Sequence, residues 1–92
     1  MDNIKSILIE ENYPSHIIEK TIEKLKNLTP QVNEAFHLWI TNHIEPQIII
    51  EGYSYKTLVE NYGMKPIGAF LTLDWLIREP QKALTSLKKG IK

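Results

Sequence analysis

The chain has 92 residues, with eleven basic and eleven acidic side chains, no cysteine and a hydrophobic fraction of 42%. This length fits one domain, and the hydrophobic fraction is sufficient for one core, which argues against a disordered chain. The lack of cysteine excludes a disulfide framework, a thiolate metal site and a cysteine nucleophile. The net charge of zero removes any attraction of the whole chain to nucleic acid or to an anionic membrane.

Two helices separated by a corner are expected in the first third of the chain. Asp2 or Asn3 can cap the first helix. Tyr13 precedes a proline, which disfavours helical backbone at Tyr13 and places the corner there. Ser15 is then expected to cap the second helix. The apolar positions of this helix recur at spacings of four and three residues, at Ile18, Ile22 and Leu25.

The third predicted helix has the clearest helical period in the chain. Thr29 supplies a capping hydroxyl, and Pro30 follows at the first helical position, where proline is favoured. The apolar stripe on one face of this helix comprises Val32, Ala35, Phe36, Trp39, Ile40 and His43. Because it lies on this stripe, His43 is expected to be a partly buried histidine with one hydrogen bond.

Residues 46–53 are expected to form an extended connector between two possible halves, residues 1–45 and 54–92. The β-branched run Ile48–Ile50 fits either a strand or a buried helical turn, since three residues are too few to show a period. It is the one segment of this kind, so a strand here would need a partner from another chain.

The second half is expected to hold three more helices. Ser54 can cap a short helix that Gly63 closes, and Pro66 and Pro80 can each begin a further helix. The middle helix of the three is apolar on nearly all sides, which predicts a position in the centre of the domain. The sequence therefore predicts an all-α fold, a compact orthogonal bundle of five or six short helices in one domain over residues 1–92.

Asp74 is the most informative single residue, because it lies between Leu73 and Trp75 in the apolar central helix. A buried carboxylate is unfavourable unless it accepts hydrogen bonds or pairs with a cation. We expect Asp74 to accept a hydrogen bond from a helix N-terminus, a tyrosine hydroxyl or a tryptophan indole. This structural role is favoured over a functional one.

Catalytic and metal-binding patterns are not found in the sequence. Glu34 and His37 are three residues apart, as in carboxylate-bridged di-metal bundles, but those sites need two such pairs and two more glutamates. A pair at this spacing is more often a surface contact. There is no Ser-His-Asp signature, phosphate-binding loop or zinc spacing. We therefore expect no enzymatic activity, no metal and no cofactor.

The charges are divided unevenly along the chain. Residues 1–63 contain nine acidic and five basic side chains, whereas residues 64–92 contain two acidic and six basic ones. The candidate partner-binding set is Lys65, Arg78, Lys82, Lys88, Lys89 and Lys92. Either the two segments attract each other, within one molecule or across a dimer, or the basic surface binds an acidic partner or a phosphate backbone.

A helix-turn-helix pattern is the second basis for a nucleic-acid interpretation. Leu58 and Val59 fit its first helix, Gly63 fits the turn and Met64 fits the apolar position after it. The helix that follows is apolar where a recognition helix would present arginine, asparagine or glutamine to the bases. Nucleic-acid binding therefore stays the alternative and not the leading hypothesis.

Three short motifs follow one another in the second half: Gly52-Tyr53-Ser54, Gly68-Ala69-Phe70 and Lys88-Lys89-Gly90. This half resembles small uncharacterised proteins of low-GC Gram-positive bacteria, which have a Gly-Tyr-Ser/Thr turn, a Gly-Ala-aromatic helix and a closing Lys-Lys-Gly. The resemblance covers about half of the chain. It implies no activity, so it assigns no functional residue.

Apolar and aromatic side chains are abundant for so short a chain, notably Phe36, Trp39, Phe70, Trp75 and Ile48–Ile50. The leading hypothesis is a non-catalytic protein-interaction or self-associating helical module, with a protein partner or a second copy as its ligand. The alternative is a nucleic-acid-binding accessory protein that uses the basic C-terminal third. No apolar run approaches the roughly 18 residues of a membrane span, and the first residues do not resemble a signal peptide. A cytoplasmic location without a membrane partner is therefore expected.

Overall fold

The computed structural model describes residues 2–89, with side chains from residue 4 onward, as six helices and one short β-hairpin. The elements are α1 (Asp2–Glu10), α2 (Ser15–Lys26), α3 (Pro30–Asn42), β1 (Ile49–Ile50), β2 (Tyr53–Ser54), α4 (Tyr55–Glu60), α5 (Pro66–Arg78) and α6 (Pro80–Lys88). The prediction of an all-α fold with five or six helices is confirmed, with the hairpin as a minor addition. The side chains of the predicted caps Asp2 and Asn3 lie outside the described part of the structure, as do Gly90 of the closing motif and the basic residue Lys92.

Helix α1 ends in a Schellman motif centred on Asn12. The backbone of Asn12 is left-handed, with φ of 66°, a conformation that asparagine tolerates better than most residues. The N–H of Tyr13 donates to the carbonyl of Leu8 at 3.0 Å, which satisfies one of the free carbonyls at the helix end. The predicted corner at Tyr13 is therefore formed by the backbone of Asn12 together with the proline that follows.

The starts of the later helices use less side-chain capping than the sequence predicts. Ser54 caps α4 as predicted, because its Oγ accepts from the N–H of Thr57 at 3.1 Å. The prediction for Ser15 is wrong, since Pro14 occupies the N-cap position of α2 and has no capping side chain. Thr29 is the N-cap of α3, but its hydroxyl is buried without a hydrogen-bond partner.

The C-terminal end of α3 corrects the prediction for His43. This residue is exposed, has a left-handed backbone with φ of 57°, and follows the last helical residue, Asn42. Its N–H still donates to the carbonyl of Trp39 at 3.1 Å. The backbone leaves the helix at this left-handed turn, so His43 does not lie on the buried face of α3. The prediction of a partly buried histidine is therefore wrong.

The Ile48–Ile50 run also differs from its prediction. Strand β1 pairs antiparallel with β2 in the same chain, with Ile50 opposite Tyr53. The two loop residues, Glu51 and Gly52, have φ of 52° and 85°, the pair of positive angles that defines a type I′ hairpin turn. The predicted need for a strand from another chain is therefore wrong, and part of the predicted connector is a hairpin.

Helix α5 lies at the centre of the packing. The fully buried ring of Phe70 has its centroid 5.1 Å from that of Phe36, 5.4 Å from that of Trp39 and 5.1 Å from that of Tyr55. These partners belong to α3 and α4, and buried side chains from all six helices form one hydrophobic cluster. The radius of gyration, 12.7 Å, is close to the roughly 13 Å expected of a folded chain of this length.

One face of α5 departs from the prediction of burial on nearly all sides. Ile67, Phe70 and Leu73 are fully buried, but Leu71 and Trp75 are only half-buried. This face is open to solvent beside the end of α2. The longest described helices have 13 residues, and none of those described has the length and apolar character needed to cross a bilayer.

Candidate binding cleft

The half-buried face of α5 and the C-terminal end of α2 enclose a cleft of about 530 Å³. Helix α5 contributes Leu71, Thr72, Asp74, Trp75 and Arg78, and the end of α2 contributes Glu23, Lys24 and Asn27. Ligand sites in proteins are typically concave and mostly apolar, with a few polar groups that orient the ligand. This cleft is concave, but its side chains are more polar than is typical, because two apolar residues, Leu71 and Trp75, lie among six polar or charged ones.

Leu71 and Trp75 form the apolar part of the cleft. They are four residues apart on α5 and therefore lie on one face of the helix. The indole Nε1 of Trp75 donates to Oε1 of Glu79 at 3.0 Å, so its polar atom has a partner outside the core. This hydrogen bond, followed by the charge of Lys82, lowers the pKa of Glu79. The apolar ring of Trp75 is thus held at the cleft by a hydrogen bond at its edge.

Asp74 and Arg78 connect α5 to the loop between α2 and α3. Oδ1 of Asp74 accepts from the backbone N–H of Thr29 at 2.7 Å, and Oδ2 accepts from Nε of Arg78 at 2.7 Å. A second guanidinium nitrogen of Arg78 donates to the carbonyl of Asn27. The Asp74 side chain is 14% exposed, so it is not enclosed in the core. We call this arrangement the α5 brace. Asp74 therefore accepts a hydrogen bond from the N-terminus of α3, which is one of the structural roles that the sequence predicts for it.

The candidate basic residues lie in separate places and do not form one surface. Lys65 is the N-cap of α5, whereas Arg78 is the last residue of the same helix, roughly 20 Å away along its axis. Lys82, Lys88 and Lys89 lie on α6 or directly after it. Arg78 belongs to the cleft, so of the candidate residues that the structure describes, the lysines at α6 remain as a basic surface.

The outer face of α6 is polar and contains no acidic residue. Lys82 and Lys89 are seven residues apart and border a shallow surface with Gln81, Thr85 and Ser86. The residues after the Gly63 turn do not extend this surface, because α5 is largely buried. The helix-turn-helix interpretation therefore has no exposed recognition helix, and any contact with phosphates would have to involve α6.

The ion pairs among the described side chains do not join the acidic and basic segments. Arg78 pairs with Asp74 at 2.7 Å, and Lys82 pairs with Glu79 at 3.4 Å. All four residues belong to the segment 64–92. The described part of one molecule therefore offers no direct ion pair through which the two segments would neutralise each other.

Glu11 is a partly buried carboxylate that the sequence analysis did not single out. Its Oε1 is buried and has no hydrogen-bond partner. Burial raises the pKa of Glu11 from its ordinary value of 4.5, although the backbone N–H of Ile67 and the charge of Lys65 oppose the rise. The spacing of Glu11 in the sequence predicts its burial, because it follows the buried Ile4 and Leu8 at intervals of seven and three residues and so lies on the same helix face.

Two tyrosines lie near the same carboxylate. Burial raises the pKa of Tyr13 and that of Tyr55, and the charge of Glu11 raises both further. The hydroxyl of Tyr13 also lies 3.9 Å from the position that a Cβ on Gly68 would occupy. Glu11 therefore lies against the first turn of α5. Among the described side chains, no cation forms an ion pair with it.

Glu11→Gln is expected to stabilise the protein at neutral pH. A carboxyl whose pKa is raised in the folded state opposes folding when it is ionised, so removing its charge should raise Tm at pH 7 by roughly 1–3 °C. The advantage should shrink as the pH falls through the raised pKa, and should vanish well below 4.5, where wild-type Glu11 is protonated in both states. Thermal unfolding followed by circular dichroism from pH 3 to pH 8 measures this. The exposed Glu19→Gln is the control, and an advantage that grows in acid would contradict the argument.

Comparison with known proteins adds no family to these observations. The chain matches no protein-family model, and no curated protein and no solved structure matches it significantly. Within residues 2–89, no group of three or more histidine, aspartate or glutamate side chains is placed to hold a metal ion. The cleft between α2 and α5 is therefore the basis of the function proposed below.

Proposed function

We propose that this chain is a non-catalytic interaction module that binds a segment of a protein in the cleft between α2 and α5. The observation that carries the proposal is the half-buried pair Leu71 and Trp75 on one face of α5, within a cleft bordered by charged side chains. Binding energy at protein interfaces is concentrated in a few residues, among which tryptophan and arginine are enriched. Trp75 and Arg78 are both present in this cleft.

The state of the carboxylate in the cleft favours binding over catalysis. Both oxygens of Asp74 accept hydrogen bonds, one from Thr29 and one from Arg78. These two hydrogen bonds orient the carboxylate towards α3 and Arg78, a positioning role in the α5 brace, and no second ionisable group in the cleft contacts it as an acid–base partner would. Glu23 and Lys24, the remaining ionisable groups of the cleft, are exposed on α2, where they suit recognition better than proton transfer.

A photo-crosslinking amino acid at position 72 tests the proposal. Thr72 lies in the cleft, and Thr85 on the outer face of α6 is the matched control position. In native cells, position 72 is expected to give a covalent adduct with a protein of one discrete mass, and position 85 is not. Trp75→Ala should lower the yield of this adduct about tenfold, because it removes the largest apolar contact.

Other outcomes of the crosslinking experiment would contradict the proposal. No adduct from position 72, or equal adducts from both positions, would exclude the cleft as the binding surface. An adduct of position 85 with nucleic acid, without one from position 72, would instead support the nucleic-acid alternative through the acid-free face of α6, where phosphate contacts would weaken steeply with salt.

A further inference from the structure

We propose that the occupant of the cleft is a second copy of this chain, docked cleft to cleft about a two-fold axis. This inference rests on the proposed function and names its partner. In a two-fold contact the same surface is used by both copies, so every residue pair occurs twice. The charges of this surface must therefore complement one another across the axis.

The free charges of the cleft have this self-complementarity. Glu23 and Lys24 are adjacent exposed residues of opposite sign, and neither forms an ion pair with a side chain that the structure describes. The charges of Asp74 and Arg78 neutralise each other within the α5 brace. One free negative and one free positive charge select neither a strongly acidic nor a strongly basic partner. Across a two-fold axis, however, Glu23 can pair with Lys24 of the second copy, and Lys24 with its Glu23.

The centre of the cleft and the overall charge also favour a second copy. A second copy seated over the cleft would cover the half-buried Leu71 and Trp75, and aromatic side chains contribute strongly when an interface buries them. The net charge of the chain is zero, so two copies have no long-range repulsion to overcome.

Charge reversal on α2 tests the two-fold contact with the full chain. Sedimentation equilibrium over a concentration series is expected to show a monomer–dimer equilibrium. Glu23→Lys and Lys24→Glu should each raise the dimer Kd at least about tenfold, because each reversal creates two like-charge contacts by symmetry. The double variant, Glu23→Lys with Lys24→Glu, should restore Kd to within about threefold of wild type, since opposite charges again face each other.

Matched controls separate this contact from a general effect of charge. Lys26→Glu reverses a charge on the same helix, but Lys26 borders a different groove, which α1 and α3 also line. This variant should leave the dimer Kd unchanged. All of these side chains are exposed, so circular dichroism should show an unchanged fold in every variant.

Three results would overturn the inference: a strict monomer up to millimolar concentration, a dimer insensitive to either single reversal, or single reversals that the double variant does not rescue. The crosslinking experiment distinguishes this failure from that of the proposed function. An adduct of position 72 with twice the mass of the chain supports the second copy. An adduct with a different protein retains the cleft as a binding site and excludes the second copy as its occupant.

Discussion

Phe70→Ala is expected to lower the free energy of unfolding by about 3–5 kcal/mol, the range for removing a buried aromatic ring from a packed core. Phe70 is fully buried and contacts rings from α3 and α4. Its removal would therefore leave a cavity where three helices meet. Domains of this size have only about 5–10 kcal/mol of stability, so a substantial part of it would be lost.

Urea denaturation followed by circular dichroism measures this loss. Phe70→Leu keeps most of the buried volume and should cost clearly less, about 1–1.5 kcal/mol. Leu38→Ala is the surface control, because Leu38 is 41% exposed and should change stability by no more than about 0.5 kcal/mol. A loss below about 1 kcal/mol for Phe70→Ala would mean that the aromatic cluster around α5 does not hold the fold together.

Asp74→Ala is expected to have the second largest effect, a loss of about 1–2 kcal/mol that lowers Tm by roughly 5–10 °C. The substitution removes the acceptor of the Thr29 N–H, which then loses its partner at the start of α3. It also leaves Arg78 without its carboxylate. Charge-assisted hydrogen bonds of this kind are stronger than neutral ones.

Asp74→Asn separates the two parts of this effect. The amide oxygen can still accept from Thr29, whereas the ion pair with Arg78 is lost. The Arg78 side chain is 50% exposed, and exposed ion pairs contribute little. The asparagine variant should therefore lose less than half as much stability as the alanine variant. Equal losses in a differential scanning calorimetry experiment would show that the ion pair, and not the hydrogen bond to α3, is the main contribution. The control is Lys82→Ala, which removes the exposed ion pair between Lys82 and Glu79.

Local patterns in the sequence predicted most of the helices, because proline and capping signals depend on neighbouring residues. Pro30, Pro66 and Pro80 each begin the helix predicted for them. The hairpin could also be predicted from the sequence, since Glu51 and Gly52 form a two-residue loop that ends in glycine and lies between strand-forming residues. The second strand, Tyr53–Ser54, has only two residues and no β-branched side chain, so its composition does not mark it as a partner for Ile48–Ile50.

The features that the sequence did not reveal depend on residues far apart in the chain. Thr29 was predicted to cap α3 with its own hydroxyl, but the carboxylate of Asp74 approaches from α5 and accepts the backbone N–H. The cleft likewise depends on how α2 lies beside α5. Glu23 and Lys24 lie between the apolar positions of α2, and nothing in their local pattern indicates that they border a cleft with Trp75.

The α5 brace has a kinetic consequence. Its hydrogen bonds join residues 45 and 51 positions apart, whereas helix hydrogen bonds join residues four positions apart. Contacts that close such long loops are entropically unfavourable until the intervening chain is ordered. We therefore expect the brace to form late, after the rate-limiting step of folding, and to contribute to the barrier that the folded chain crosses when it opens. On this expectation, Asp74 affects the lifetime of the folded state more than the speed at which that state forms.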